Sequence, residues 1–420
     1  MTQQIRTVPI PTDNASAAHD PLVDSVADWL MSQSLSSTDV EAIVDGCCVR
    51  LHAADVPVWR CHVAFRTLHP LFEAVSLTWH RGEGLQVVAH PHKQEISADW
   101  QRSPLYYVIR NDLPELRRRL CGEEALLDFP ILGELQQAGG TDYLAYLVEF
   151  DRETGHDEAK QGIVGSWCTD RPSGFTDSDI RSLQRISRRL AVACKITTKD
   201  QIARNVLTAY LGADAGQQVL SGVIKRGDGR TIHTVIWYSD LRGSTPLAEL
   251  LGTAEFLKVL DDYFECTAGA IVAHGGQVLR FIGDAVLGIF PIDDSPDGAK
   301  TACQCALDAA REAENRLGEV NSRLVSEGRQ PIDFGLGLHI GEVLYGNIGI
   351  PDRLDFSVIG PAVNEVARLE DLTKTLKRRI LVSGEFAQHL SVSWKPLGSH
   401  TLRGVEHPHP VFSPPQDDSA

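Results

Sequence analysis

The sequence predicts two α/β modules in tandem, the second an α+β unit of strand–helix–hairpin–helix–strand order. Three observations carry this. The chain has 420 residues, enough for two or three domains that each bury a core. Residues 231–291 set an apolar, β-branched run before a helix pattern and then a pair of short apolar runs. Residues 21–196 read helix, strands, helices, strands and a long final helix.

In chain order, residues 1–20 are polar, and a disordered tail is expected there. Pro21 to Ser34 carries Leu22, Val26, Trp29 and Leu30 at helical spacing, and Asp39 to Ala53 repeats the pattern. Strands are expected over Trp59–Thr67 and Ala74–Arg81, with a Gly-containing turn after the second. Tyr106–Ile109 and Leu116–Leu120 fit either state. A helix over Phe129–Ala138 stops at Gly139-Gly140. Strands over Tyr143–Phe150 and Gly162–Cys168 flank a charged loop, Asp151–Gln161. Thr176 or Asp177 then caps a helix whose apolar positions Ile180, Leu183, Ile186, Leu190, Ala193 and Ile196 suit a helix–helix seam. His90 and His92 read as surface-loop histidines, because no third metal ligand lies near them in sequence. A connector, residues 199–228, is helical around Ile202, Val206, Leu207 and Tyr210 and again around Val219, Leu220 and Val223.

The second module starts with the run from Thr231 that ends at Asp240. The glycine turn Leu241-Arg242-Gly243-Ser244-Thr245 follows, with Thr245 expected as a helix cap and Pro246 as the first helical residue. The helix pattern runs to His274 and stops at Gly275-Gly276. Val278–Ile282 and Ala285–Phe290, joined by Gly283-Asp284, predict a tight hairpin. A helix over Ala299–Ser326 precedes a strand, Ile332–Ile340, which Gly341-Glu342 is expected to turn into a second arm, Val343–Ile348. After a short strand, Phe356–Ile359, Gly360-Pro361 opens a helix on which Asn364 and Arg368 share a face. Arg379–Ser383 is a strand, and Leu397–Phe412 closes the module.

The chemistry lies in the two aspartates. If the hairpin pairs beside the first strand, Asp240 and Asp284 meet at one end of the sheet. Two hard oxygen ligands beside a glycine turn and a helix start suit Mg²⁺ holding a polyphosphate. The amides of Gly243, Ser244 and Thr245 would face the phosphates. A plainer alternative stands beside this one: Asp often ends strands and opens turns because its side chain bonds local backbone.

Composition narrows the function. A net charge of −16 argues against non-specific nucleic-acid or anionic-membrane partners. No apolar run reaches the about 18 residues of a membrane span, and the first residues lack a signal-peptide pattern, so a cytoplasmic protein is expected. Nine cysteines without a CxxC pair fit neither a zinc site nor a disulfide framework.

The motifs YSDLRGST, HGGQVLRFIGDAVLGIF, FGLGLHIGEVLYGNIG, FSVIGPAVNEVARLE and LRGVEHP, in that order, resemble the catalytic domain of class III nucleotidyl cyclases over residues 229–415. The resemblance implies a ferredoxin-like βαββαβ core and a homodimer with active sites shared across its interface. It implies that Asp240, Asp284 and the backbone carbonyl of Leu241 hold two Mg²⁺ or Mn²⁺ ions, and that ATP becomes 3′,5′-cyclic AMP and pyrophosphate. Asn364 matches the residue that orients the ribose, Arg368 the one that stabilises the transferring phosphate, and Arg403 a basic residue for the terminal phosphates. These three would come from the partner protomer. Residues 21–198 resemble a GAF-type sensor domain, chiefly through GSWCTDRPSGFTDSDI, which implies regulation by an unknown small ligand.

Two positions depart from the family pattern, and both concern the base. Arg280 stands where the family has an adenine-selecting lysine, and Ser357 where its partner is often Asp. A planar guanidinium cannot present one donor as an ammonium does, so Arg280 either donates to another acceptor or pairs with a carboxylate. A cross-strand ion pair without any role in the base is the plain alternative. Guanylate cyclase is therefore an alternative to adenylate cyclase, and a catalytically silent nucleotide-binding module is a third. The turn FIGDAV lacks the GG(D/E)EF pattern of diguanylate cyclases.

Overall fold

The computed structural model describes residues 21–36, 39–92, 97–150, 162–350, 352–402 and 408–415. The expected tail, the charged loop 151–161 and Arg403 lie outside the described residues. The chain divides into two compact units, Met1–Val206 and Leu207–Ala420.

The first unit comprises α1 (Pro21–Gln33), α2 (Val40–Ala53), β1 (Arg60–Arg66), β2 (Phe72–His80), β3 (Gly84–Pro91), α3 (Ala98–Gln101), α4 (Pro104–Arg110), β4 (Glu115–Arg119), α5 (Pro130–Gln137), β5 (Asp142–Glu149) and β6 (Gly162–Thr169), followed by α6 (Asp177–Leu211). The strands form one antiparallel sheet in the order β3-β2-β1-β6-β5-β4. Alternate side chains follow the pleat. Val63, Leu77, Tyr146 and Trp167 pack under α1, α2 and α6, while Ala145, Val164 and Cys168 face α4 and α5. Asp39 caps α2 by accepting from the Ala42 amide at 2.6 Å.

The two ambiguous segments resolve as a helix, α4, and a strand, β4. β3 goes beyond the sequence reading, and it carries His90, whose Nε2 lies 2.8 Å from Ser76 Oγ. His92 Nε2 lies 2.9 Å from the His69 carbonyl oxygen, so the two histidines serve separate contacts. The final helix of this module and the first helical stretch of the connector are one helix: α6 runs on to Leu211 and ends at Gly212, whose φ is +86°.

The second unit comprises α7 (Ala213–Leu220), β7 (Gly229–Leu241), α8 (Ser244–Leu251), α9 (Thr253–Ala273), β8 (Gln277–Ile282), β9 (Ala285–Pro291), α10 (Gly298–Ser326), β10 (Phe334–Ile350), β11 (Arg353–Ile359), α11 (Pro361–Leu376), β12 (Ile380–Ser383), α12 (Gly384–Ala387), β13 (Lys395–His400) and β14 (His409–Ser413). The order β10-β7-β9-β8, antiparallel throughout, is the ferredoxin-like arrangement expected from the sequence. β12 adds parallel to β10, and β14 and β13 follow. One face of β7, through Val235 and Trp237, packs under α9 and α10. The other, through Ile236 and Tyr238, packs against α7 and α11. Trp237, Tyr263, Phe290 and Phe334 are fully buried and each contributes about 2–3 kcal/mol by burial.

Two expectations need correction. The helix pattern to His274 is two helices, because Gly252 (φ +74°) separates α8 from α9. Gly341-Glu342 is not a turn: β10 runs through it, pairing Gly341 with Thr234. Gly341 serves close packing instead, since a Cβ there would lie 2.7 Å from Ala362 Cβ on α11. The end of α9 follows the sequence. Gly275 takes φ +78°, and the amides of Gly276 and Gly275 donate to the carbonyls of Ile271 and Val272, as a Schellman stop requires.

Candidate active site

The site is built where β7 ends beside the β8–β9 turn. In register, Asp240 faces Ala285, and the Leu241 amide donates to the Asp284 carbonyl at 3.4 Å. The turn needs only two residues because Gly283 takes φ +65°, open to glycine at no steric cost. Asp284 is thereby held at the same sheet end as Asp240, which is the juxtaposition expected from the sequence.

Electrostatics shows what the pair does to itself. The Asp240 carboxyl is half-buried, and burial, followed by the charge of Asp284, pushes its pKa up; Lys374 offsets this only in part. Lys374 on α11 places Nζ 3.3 Å from Asp240 Oδ2, 3.9 Å from Asp371 Oδ1 and 4.0 Å from Glu370 Oε2. Burial pulls the Lys374 ammonium down, but Glu370 and Asp240 hold it above the ordinary lysine value. Glu370, 1% exposed, is pushed up to about 7 by burial, with Asp240 adding to the shift. Three carboxyl groups thus gather around one ammonium, with Asp284 beside Asp240, acidic surroundings that suit a divalent cation. Among the described residues, no group of three or more Asp, Glu, His or Cys side chains is arranged to hold a metal by itself. A cation here would need oxygens beyond Asp240 and Asp284, such as the Leu241 carbonyl and phosphate oxygens.

The phosphate turn is placed differently in detail from the sequence reading. Gly243, with φ +67° and ψ +28°, is itself the N-cap of α8, so Ser244 and Thr245 are the first helical residues and Pro246 the third. A left-handed cap costs glycine nothing. It leaves the first amides of α8 without intrahelical acceptors, as an anion site requires. Arg242 pins the turn from behind. Its amide donates to the Asp333 carbonyl at 2.8 Å, its Nη1 to Asp333 Oδ2 at 3.1 Å, and its Nη2 to the Arg378 carbonyl at 2.8 Å.

Asn364 and Arg368 are exposed on one face of α11, whose opposite face, through Ala362 and Val366, is buried. Arg368 Nη1 lies 3.2 Å from Asp371 Oδ2. Ser357 is buried on β11, and Arg280 pairs instead with Asp355, Nη2 to Oδ2 at 2.9 Å. Sequence reasoning passed over Lys374, Glu370, Arg242 and Asp355. Only the i,i+4 spacing of Glu370 and Lys374 offered a local signal.

The model of the adenylate and guanylate cyclase catalytic domain family matches residues 230–411, and that part of the chain belongs to this family. Over 198 residues the chain is 32% identical to an adenylate cyclase of Anabaena cylindrica, covering 46% of this chain and 38% of that protein. It is 29% identical over 171 residues to adenylate cyclase 1 of Rhizobium meliloti, covering 40% and 25%. The chain therefore spans well under half the length of these relatives. Among solved structures, a bacterial light-regulated adenylyl cyclase aligns at 25% identity with a TM-score of 0.44, covering 53% of this chain and 64% of that one. The guanylyl cyclase Cya2 aligns at 32% with a TM-score of 0.38, covering 44% and 92%. Among the described residues, no helix is long and apolar enough to cross a membrane.

Proposed function

We propose that the chain is an adenylate cyclase, converting ATP to 3′,5′-cyclic AMP and pyrophosphate at sites shared by two copies, with residues 21–198 as a GAF-like regulatory domain. The observation that carries it is the meeting of Asp240 and Asp284 beside the Gly243 cap. Asp240, Asp284 and the Leu241 carbonyl would hold two Mg²⁺ or Mn²⁺ ions. Such ions, when bound, lower the pKa of the ribose 3′-hydroxyl and neutralise the triphosphate. The amides of Ser244 and Thr245 donate to phosphate oxygens at the positive end of α8. Asn364 holds the ribose, and Arg368 places its guanidinium against the transferring phosphate, where charge builds in the transition state. Arg403 would add positive charge at the terminal phosphates.

The relatives named adenylate cyclase support ATP as substrate. The purified chain, given ATP and GTP separately with Mg²⁺ or Mn²⁺, is expected to yield cyclic AMP in excess by mass spectrometry. Excess cyclic GMP would reverse the base assignment, and no cyclic product would favour a silent nucleotide-binding module. Shared sites have their own test. Mixed protomers carrying Asp240→Ala and Arg368→Ala are expected to regain one working site per heterodimer. Inactive heterodimers, shown to form, would defeat the shared-site arrangement.

A further inference from the structure

The pairing of Arg280 raises a question that its energetics cannot answer. Its side chain is 40% exposed and that of Asp355 is 54% exposed, so the ion pair adds little to stability. Yet the fold redirects a strand to make it. Along β8, Val278 faces Gly288 and Arg280 faces Leu287, so an extra residue is inserted between them. This β-bulge turns Leu279 and Arg280 toward the same face. Leu279 and Leu287 both belong to the core on the α11 side of the sheet, the side that Ile236, Tyr238 and Asp240 share along β7. Without the bulge, Arg280 would follow Val278 to the face under α9 and α10. The next residue, Phe281, does lie toward that face and packs on Phe264 with ring centroids 4.5 Å apart.

β11 supplies the other half. Asp355 and Ser357 are two apart on this strand and share a face, with Ser357 buried and Asp355 exposed. The carboxylate that meets Arg280 is therefore displaced by one strand repeat from the position where the family pattern led us to look for it. A guanidinium beside a carboxylate is an ordered donor–acceptor pair. The purine edge is ordered too: a 6-aminopurine offers a donor at the exocyclic amine and an acceptor at N1, and a 6-oxopurine reverses both. With ribose and phosphates fixing the base, one order fits and the other sets like against like.

We propose that Asp355 is a specificity-determining residue of the candidate site, accepting from the 6-amino group of an adenine nucleotide while it holds Arg280 to donate to the ring nitrogen. This rests on the cyclase reading. Substrate entry exchanges part of the Arg280–Asp355 contact for contacts to the base, which the exposure of both side chains permits.

The test uses the full chain and the variants Asp355→Asn and Ser357→Ala. Two quantities are measured: the ratio of cyclic AMP to cyclic GMP formed from an equimolar ATP and GTP mixture, and the ratio of the GTP concentration to the ATP concentration needed to displace a fluorescent ATP analogue in Mn²⁺. Asp355→Asn, whose amide can both donate and accept, is expected to lower both ratios by about tenfold or more. Ser357→Ala should shift them less. Unchanged ratios in Asp355→Asn, an equal loss for both nucleotides, or a larger shift in Ser357→Ala would overturn the proposal. If no cyclic product forms, the cyclase reading fails alone, and the displacement ratio still decides the role of Asp355. Displacement by neither nucleotide overturns both.

Discussion

Asp142 and Asp240 are both half of an ion cluster at the end of a strand, and they differ in how their charge is answered. Asp142, fully buried, receives Arg117 Nη2 at 2.7 Å, Arg119 Nη1 at 3.0 Å and the Phe175 amide at 3.0 Å. Arg117 also donates to the Phe175 carbonyl at 2.7 Å, so the cluster clamps the turn that leads into α6. One carboxylate faces two guanidinium groups, and nothing is left for a ligand. Asp240 has the opposite balance: it shares a single lysine with Glu370 and Asp371 and has Asp284 at its side. A buried charge with enough partners is a structural fastener, and a surplus of one sign at a sheet end marks a candidate binding site.

The largest expected effect exchanges the two aspartates as targets. Asp142→Ala leaves the buried Arg117 and the partly buried Arg119 without their carboxylate, and should destabilise the first unit by about 3–5 kcal/mol in denaturant unfolding. Asp240→Ala should abolish turnover and metal-dependent nucleotide binding while changing stability by no more than about 1 kcal/mol. Full turnover in Asp240→Ala, or an unstable fold, would erase the distinction.

A smaller effect follows from Glu370. Its folded pKa of about 7 lies above the ordinary carboxyl value, so the folded state binds the extra proton between about pH 4.5 and 7. The stability it contributes is complete below that window and is lost as pH rises through 7. Glu370→Gln should remove this slope, on the order of 2–3 kcal/mol between pH 5 and 7.5 without divalent metal. A slope identical to that of the unmodified chain would show that Glu370 titrates normally. The smallest effect belongs to Lys374. Its ammonium occupies the carboxylate cluster that a metal would enter, so Lys374→Met should tighten Mn²⁺ binding by roughly two- to fivefold in calorimetry, in keeping with a half-exposed pair. Weaker binding would mean that the lysine supports the metal ligands rather than competing with the metal.

Much of this was legible locally. The Gly283-Asp284 turn, the double-glycine stop of α9, the strand ending at Asp240 and the shared face of Asn364 and Arg368 follow from turn geometry and helical period alone. The two misreadings have different causes. Gly341-Glu342 has the composition of a turn, but β7 pairs along β10 from Phe334 to Gly346, and a continuous ladder overrides a local preference. Gly252 sits inside an apolar helical period and still breaks it, since its φ of +74° leaves the helical region.

The amino-acid order by itself therefore determined the ends and turns of the elements and placed both aspartates where two chain segments stop. Backbone sterics and side-chain-to-backbone bonds act within a few residues, and this is why such features can be read directly. Only the tertiary structure decided the partners. Lys374 meets Asp240 across 134 positions, and Arg280 meets Asp355 through a bulge in one strand and a two-residue offset on another. Those contacts depend on sheet order and register, which are set by how whole faces bury their apolar side chains rather than by any single residue.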